Sequence, residues 1–155
     1  MKHPLSISGR ERPEPPECLY RVVLADDDGF YRLVLKGILE TSRDLEVAGE
    51  AGDGFQLLSL LGSIPTAPHM AIVDISMPKL GGIGATSKIK TGYPQLKVLI
   101  MSIHTEKEYV REALSAGADG YILKEGADGE LFLAIEKIRR GGIYISPALM
   151  RDEGG

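Results

Sequence analysis

Five short apolar runs, separated by stretches with helical spacing, constrain the fold more than any other feature of this sequence. The runs are Tyr20–Ala25, Leu45–Glu50, His69–Asp74, Lys97–Met101 and Gly120–Leu123. Most of them are apolar at nearly every position, which is typical of strands covered on both faces. The alternation of such strands with helices predicts an α/β domain in which helices pack on both sides of a parallel sheet.

Helical patterns fill the intervals between these runs. A first helix is indicated by the amphipathic spacing of Phe30, Leu33, Val34 and Ile38, and a second by the capping box of Asp53 and Gln56, which opens a helix running through Leu61. A third helix is predicted over Gly82–Thr91. A fourth begins at a Thr105–Glu108 capping box and ends near Ala116–Gly117. A fifth stops at Gly141–Gly142 and is indicated by the apolar residues Leu131, Phe132, Ile135 and Ile138. The result is a (βα)₅ order, for which right-handed crossovers leave few topologies.

The two ends of the chain differ from this middle part. The first 18 residues hold four of the nine prolines and almost no large apolar side chain, so residues 1–18 are predicted to be a flexible N-terminal extension. Residues 19–142 are predicted to form one domain, as the total of 155 residues suggests. Residues 143–155 are interpreted as the start of a linker.

Composition excludes several classes of function. One cysteine allows no internal disulfide, and the three histidines are too scattered to suggest a zinc site. The net charge of −4 argues against nucleic-acid binding by bulk charge. The apolar runs are too short to span a bilayer, and the N-terminus has no apolar signal-peptide core. We therefore expect a cytoplasmic protein that does not contact a membrane.

Polar side chains follow the predicted strands, at the edge where parallel sheets bind ligands. The first strand is followed by Asp26, Asp27 and Asp28, the third ends in Asp74, the fourth runs into Ser102, and the fifth is followed by Lys124. Two carboxylates at ~4 Å repel each other by about 4 kcal/mol at an effective dielectric near 20. Oxygen ligands without histidine or cysteine favour Mg²⁺ or Mn²⁺ as the neutralising ion. A carboxylate can also act as the nucleophile in phosphoryl transfer, with a lysine to balance charge.

These residues carry a family resemblance. The series LADDDGFYR, VDISMP, VLIMS and GADGYILK resembles a two-component response-regulator receiver domain over roughly Tyr20–Pro147. The segments GADGYILKE and GGIYISPAL resemble the NarL/FixJ type (LuxR-type output), whose members usually continue into a helix-turn-helix domain. The resemblance implies a flavodoxin-like three-layer sandwich with a five-stranded parallel sheet in the order 2-1-3-4-5.

The resemblance also implies a role for each matched position. Asp74 is the expected phosphoacceptor, Asp27 the direct Mg²⁺ ligand, Asp26 a ligand acting partly through water, and Ser76 a ligand through its backbone carbonyl. Lys124 and Ser102 are expected to bind the phosphoryl group, Ser102 and Tyr121 to form the conformational switch, and Pro78 and Gly82 to shape the loop after the third strand. Ser76 and His104 are candidates for tuning hydrolysis, although His104 taken alone is an ordinary loop residue.

The implied function is a phosphorylation-dependent signalling switch. A sensor histidine kinase would supply the phosphoryl group, and phosphorylation would favour a homodimer. Transcription would be controlled through a C-terminal helix-turn-helix domain outside this chain, which would also make any DNA contact. The domain is not expected to be an enzyme beyond slow self-dephosphorylation.

Several alternatives stay open from the residues. The metal-binding pair could be Asp27 and Asp28, or the three acids could only cap a helix. A phosphatase of the haloacid-dehalogenase type is disfavoured because Ser76 stands where its second acid belongs, and DDDGFY does not suit the phosphate of FMN. The strongest alternative is a stand-alone or phosphorylation-independent receiver that acts as a protein-interaction module.

Overall fold

A computed structural model describes residues 19–151 of the chain. Within this range all strands are parallel and form one sheet in the order β2-β1-β3-β4-β5-β6. The strands are β1 (Tyr20–Ala25), β2 (Leu45–Ala51), β3 (Met70–Asp74), β4 (Lys97–Ser102), β5 (Gly120–Leu123) and β6 (Tyr144–Ile145). The predicted order 2-1-3-4-5 is confirmed, and β6 is a short sixth strand that pairs with β5.

Five helices connect consecutive strands of the described residues, a short sixth follows β6, and together they cover both faces of the sheet. They are α1 (Gly29–Leu39), α2 (Gly54–Ser63), α3 (Gly82–Gly92), α4 (Lys107–Ser115), α5 (Ala127–Arg139) and α6 (Pro147–Met150). In the part of the chain that the structure describes, no helix combines the length and apolar character required to cross a bilayer.

Alternating strand residues pack into two separate hydrophobic cores, one on each side of the sheet. The domain is therefore a three-layer α/β sandwich. Val23 and Val73 point to the side of α2, α3 and α4, where they pack with Leu57, Ile89 and other buried residues. The neighbouring strand positions point the other way and pack against α1 and α5. Both faces of the inner strands β1, β3, β4 and β5 are therefore buried, which explains why these strands are mostly apolar.

The first helix forms as predicted, but of the four apolar residues that indicate it Ile38 packs against the core, whereas Phe30, Leu33 and Val34 are exposed. Phe30 and Leu33 are 74% and 64% exposed, whereas Leu35 and Leu39 are buried. The sequence of α1 holds two overlapping apolar stripes, so spacing alone does not decide which stripe faces the sheet. In the folded domain the stripe with Leu35 and Leu39 packs on β1 and α5, and Phe30 and Leu33 remain in solvent.

The predicted helix caps have mixed outcomes. The Asp53 cap is confirmed, because its carboxylate accepts a hydrogen bond from the Gln56 amide at 2.9 Å. The Thr105–Glu108 capping box is wrong: α4 begins at Lys107 after Glu106, and no side chain caps it. The preceding loop is held through the backbone of His104, which accepts from the Tyr121 hydroxyl and donates to Ser102.

The segment after α5 packs against the domain. The backbone of Ser146 donates to the carbonyl of Tyr121 at 3.0 Å, and Leu149 is buried in the same core as Tyr121. The predicted extension over residues 1–18 lies outside the described residues. The boundary at residue 142 between domain and linker stays a prediction.

Candidate functional site

Three aspartates converge at the carboxyl edge of the sheet. Asp26 and Asp27 follow β1, and Asp74 ends the neighbouring strand β3, with Ala25 and Val73 in register. One carboxylate oxygen from each aspartate lies within 4.8 Å of the others. Asp26 and Asp74 are 5% and 8% exposed, and Asp27 is open to solvent. Two of the three carboxylates are therefore largely removed from water, whereas the third lies at the surface, where an ion from solvent can reach it.

The third consecutive acid has a different task. The Asp28 carboxylate accepts hydrogen bonds from the amides of Phe30 and Tyr31, both at 3.1 Å, and so caps α1. The Asp26 carboxylate accepts from the Asp28 amide at 3.0 Å and fixes the turn between strand and helix. The residues gathered around Asp74 are thus Asp26 and Asp27, rather than the alternative pair Asp27 and Asp28.

Lys124 joins the two buried carboxylates. Its Nζ atom lies 2.7 Å from Asp26 Oδ2 and 3.5 Å from Asp74 Oδ1. Burial acts to lower the pKa of Lys124, but the hydrogen bond to Asp26 and the charge of Asp74 outweigh burial and raise the pKa. The ammonium group therefore stays charged and offsets part of the repulsion between the two acids.

The charged form of Asp74 is disfavoured by its surroundings. Burial raises its pKa to about 6, and the charge of Asp26 adds to this rise, while Lys124 opposes it. Three carboxylates and one ammonium leave an excess of negative charge in a confined space. A hard cation with oxygen ligands fits this donor set, since neither sulfur nor imidazole belongs to the cluster.

Tyr31 is a member of the site that the sequence analysis missed. Its ring lies beneath the Lys124 ammonium, with 4.4 Å between Nζ and the ring centroid. Such a contact favours the charged lysine and restricts where its chain can lie. The only sequence signal was its position in the first turn of α1, next to the acidic run.

Ser102 and Tyr121 lie behind the acidic cluster and are both fully buried. The Ser102 hydroxyl accepts a hydrogen bond from the His104 amide at 2.9 Å. The Tyr121 hydroxyl donates to the His104 carbonyl at 2.9 Å. The two predicted switch residues thus hold the two peptide groups that flank His104 in the β4–α4 loop, and the Tyr121 ring points inward.

His104 bridges two loops beside the acidic cluster. Its Nε2 atom lies 3.0 Å from the Ser76 hydroxyl, and its ring stacks on Tyr109 of α4 with 4.3 Å between centroids. This contact brings together the two residues predicted to tune hydrolysis. A sequence separation of 28 residues conceals it from sequence reasoning.

The loop after β3 is tightly folded. The Gly82 amide donates to the Ile75 carbonyl at 2.9 Å, and the Leu80 amide donates to the Pro78 carbonyl at 2.7 Å. A Cβ atom on Gly82 would collide with the backbone carbonyl of Asp74. Pro78 and Gly82 therefore lie where the expected loop-shaping roles require them.

A family model described as the response regulator receiver domain matches residues 22–136 of the chain. The chain belongs to this family. Receiver domains bind Mg²⁺ at an acidic pocket, and Asp26, Asp27 and Asp74 form such a pocket in this receiver domain.

Named relatives narrow the type of receiver domain. The transcriptional regulatory protein DegU of Brevibacillus brevis is 36% identical over 127 residues, covering 82% of this chain and 53% of DegU. MctR of Rhizobium johnstonii, also named a transcriptional regulatory protein, is 38% identical over 136 residues, covering 88% of this chain and 60% of MctR. The receiver domain thus spans just over half the length of these curated relatives.

Solved structures agree with this assignment. A LuxR-family two-component response regulator from Aurantimonas sp. superimposes with a TM-score of 0.80 at 30% identity, covering 84% of this chain and 92% of that one. The isolated receiver domain of RcsB from Salmonella enterica serovar Typhimurium, solved with the phosphomimetic BeF₃⁻, gives 0.77 at 25% identity, covering 84% and 96%. The NarL/FixJ-type resemblance found in the sequence is confirmed.

Proposed function

We propose that this receiver domain accepts a phosphoryl group on Asp74 from a sensor histidine kinase, with Mg²⁺ bound beside it. The observation that carries the proposal is the contact of Lys124 with Asp26 and Asp74, next to the open carboxylate of Asp27. In such a cluster, one ammonium group neutralises only part of the charge of three carboxylates. The remaining negative charge can bind a cation, and Asp74 can accept a phosphoryl group. Capping of α1 by Asp28, or fold stability, would require neither Asp27 nor Lys124 next to Asp74.

The carboxylates of Asp26, Asp27 and Asp74, with the backbone carbonyl of Ser76, are the residues that would hold the metal. When bound, Mg²⁺ or Mn²⁺ supplies positive charge for the phosphoryl oxygens and lowers the repulsion among the acids. Asp74 would then stay ionised at neutral pH although burial raises its pKa.

The chain's own groups account for the transfer. A carboxylate oxygen of Asp74 forms a new bond to phosphorus while the bond from phosphorus to the donor nitrogen breaks, and the donor leaves with the electron pair of that bond. The Lys124 ammonium, 3.5 Å from Asp74 Oδ1, balances the charge on the phosphoryl oxygens. The tight loop at Gly82 holds the backbone of Asp74 in place, so the acceptor is preorganised.

The phosphoryl group would act on the switch through Ser102. It adds roughly −1.5 to −2 charges and strong acceptor oxygens. Ser102 would turn its hydroxyl hydrogen toward these oxygens and move with them. Because Ser102 and Tyr121 both hold His104, this shift changes the path of the loop into α4. Tyr121, which is inward in the structure, would be retained there by the shifted loop.

The domain would act as a switch and not as an enzyme on external substrates. Its one chemical step after transfer is slow hydrolysis of its own phosphoaspartate, tuned by Ser76 and His104. Ser76 also stands where phosphatases that use a strand-end aspartate place a second acid.

The output would be transcription control in the cytoplasm. DegU and MctR are both named transcriptional regulatory proteins, and this chain covers only 53% and 60% of their lengths. A similar structure shows two RcsB dimers bound to two parallel DNAs. By analogy, phosphorylation would favour a homodimer here, with DNA bound through a helix-turn-helix domain outside this sequence.

The decisive experiment is labelling by a small-molecule phosphodonor with Mg²⁺, followed by intact mass. We expect one phosphoryl group on the wild type and none on Asp74→Asn or in the presence of EDTA. Asp28→Asn is the matched control, since asparagine also caps helices and Asp28 lies outside the acidic cluster. Labelling retained on Asp74→Asn contradicts the proposal. A folded wild type that is never labelled would favour the phosphorylation-independent interaction module.

A further inference from the structure

Ser146 has an unexpected arrangement next to β5. It occupies the N-cap position of α6, directly before Pro147, where a serine usually accepts a hydrogen bond from the helix backbone. Its side chain makes no such bond and is fully buried. The hydroxyl instead accepts from the Leu123 amide at 3.0 Å and donates to Glu130 Oε1 at 2.8 Å.

Glu130, which is half-buried, completes this polar network. The same Oε1 atom accepts a second hydrogen bond from the Tyr144 hydroxyl at 3.2 Å. Glu130 lies on α5, Tyr144 on β6 and Leu123 on β5, so one carboxylate and one hydroxyl connect three elements. Removing the Ser146 hydroxyl would leave the Leu123 amide without this partner, and an unsatisfied polar group costs more than the hydrogen bond contributes.

The network ends one residue from the candidate phosphoryl site. Leu123 immediately precedes Lys124, whose own amide donates to the Ser102 carbonyl at 2.9 Å. The end of β5 is therefore held from the β4 side by Ser102 and from the β6 side by Ser146. The 2.7 Å contact of Lys124 with Asp26 depends on where this backbone lies.

We propose that Ser146 and Glu130 are positioning residues for Lys124. The proposal deepens the function proposed above and rests on it, since it assigns to them the alignment of the lysine that balances phosphoryl charge. It also makes the segment over residues 144–150 part of the switch, although that segment touches neither the acids nor the phosphoryl group. Because coupling between two sites is reciprocal, a phosphoryl group that shifts Lys124 must also change how residues 144–150 pack against β5 and α5.

The test compares Ser146→Ala, Glu130→Ala and Glu130→Gln with the wild type. Glutamine keeps an oxygen that can accept from Ser146, so Glu130→Gln should recover much of what Glu130→Ala loses. Glu136→Ala is the matched control, because Glu136 lies on the same helix and pairs with Arg140 at the surface. Each variant is labelled with a small-molecule phosphodonor, and its Leu123 amide and Lys124 Cε resonances are recorded by NMR.

We expect Ser146→Ala and Glu130→Ala to lower the maximal labelling rate about fivefold, which corresponds to about 1 kcal/mol. The labelled fraction at the end point should stay at the wild-type value, whereas simple loss of folded protein would lower that fraction instead. The Lys124 Cε resonance should shift in both variants and stay unchanged in Glu136→Ala. Phosphorylation of the wild type should also change hydrogen exchange over residues 144–150.

Failure of this proposal is distinguishable from failure of the proposed function. A wild type that is not labelled refutes the function, and the NMR comparison, which needs no phosphodonor, still decides the positioning role. Wild-type labelling rates together with an unshifted Lys124 Cε in both alanine variants would overturn the inference. If Ser146→Ala does not fold, the contrast between Glu130→Ala and Glu130→Gln gives the same answer.

Discussion

Individual residues in the acidic run have different tasks although they are chemically identical. Asp28 satisfies two amides at the start of α1, Asp26 is bound by Lys124, and Asp27 stays open to solvent. Because successive residues leaving a strand point in different directions, a shift of one position changes the partner completely. Asp27 is thus the acid of the cluster most accessible to an incoming ion, next to two acids that are already confined.

The raised pKa of Asp74 predicts a pH-dependent stability difference. Its folded-state pKa of about 6 exceeds the ordinary 3.8, so the folded protein holds this proton more tightly than the unfolded chain. Protonated Asp74 therefore makes its full contribution to the free energy of unfolding below about pH 3.8. This contribution is lost as the pH rises through about 6. In EDTA at pH 8, Asp74→Asn should raise the free energy of unfolding by on the order of 2 kcal/mol.

Urea unfolding at pH 4, 6 and 8 measures this difference. The gain from Asp74→Asn should shrink toward pH 4, where the wild-type acid is protonated as well. Added Mg²⁺ should stabilise the wild type more than the variant and reduce the gain at pH 8. A constant gain across the pH range would show that repulsion at Asp74 is not its cause.

At the scale of elements, the junction of β3 and α3 fixes the backbone of Asp74 by close approach. Gly82→Ala should destabilise the domain by about 2 kcal/mol or more, because the new methyl group would overlap the Asp74 carbonyl. Gly37→Ala is the matched control: nothing lies within 4 Å of its added Cβ, and alanine favours the interior of α1 by about 0.5–1 kcal/mol. Thermal unfolding should therefore shift in opposite directions for the two variants, and equal shifts would contradict the packing argument.

The contact between the β3–α3 loop and α4 predicts an effect on phosphoaspartate lifetime. We expect the His104 ring, held between Ser76 and Tyr109, to restrict the approach of water to the candidate phosphoryl site. His104→Ala should shorten the lifetime of labelled Asp74 several-fold while leaving the labelling rate nearly unchanged. The lifetime is measured by loss of the phosphorylated mass after removal of the phosphodonor.

Ile103→Ala provides the control for this prediction. Ile103 lies in the same loop, is 71% exposed, and makes none of the contacts of His104. Its substitution should leave the lifetime unchanged. Equal lifetimes in His104→Ala and the wild type would remove His104 from the group of residues that tune hydrolysis.

For the whole molecule, the energy of switching exceeds what the local contacts supply. Moving a population from 1:99 to 99:1 requires about 5.5 kcal/mol of differential stabilisation. A single charge-assisted hydrogen bond from Ser102, at about 1.5–3 kcal/mol, provides only part of it. The remainder would come from association of two activated domains, in line with the proposed homodimer.

Activation should therefore depend on protein concentration. With BeF₃⁻ and Mg²⁺ at saturation, the fraction of activated domain seen by NMR should rise with concentration, in parallel with the dimer fraction from sedimentation velocity. Asp74→Asn should remain monomeric and unchanged over the same range. Full activation in dilute, monomeric protein would show that the domain switches without association.

Much of the fold and of the candidate site could be predicted from the sequence. Strands that are buried on both faces must be apolar along their length, and such runs are visible in the sequence. β1 and β5 accordingly have the predicted bounds. The order of the strands in the sheet was predicted from the family resemblance. The acids, Ser102 and Lys124 were found because parallel strands bring their carboxyl ends to one edge. These features depend on local periodicity and chain order, which the sequence contains directly.

Only the tertiary structure decided which of several similar groups is used. The buried face of α1, the capping role of Asp28 and the contact of Tyr31 with Lys124 depend on how each helix is rotated against the sheet. Ser146 holds the N-cap position of α6, yet its hydroxyl turns inward to Leu123 and Glu130, beside the pairing of β6 with β5. Such contacts join residues far apart in the chain, and their energies depend on burial and direction, which no local pattern encodes.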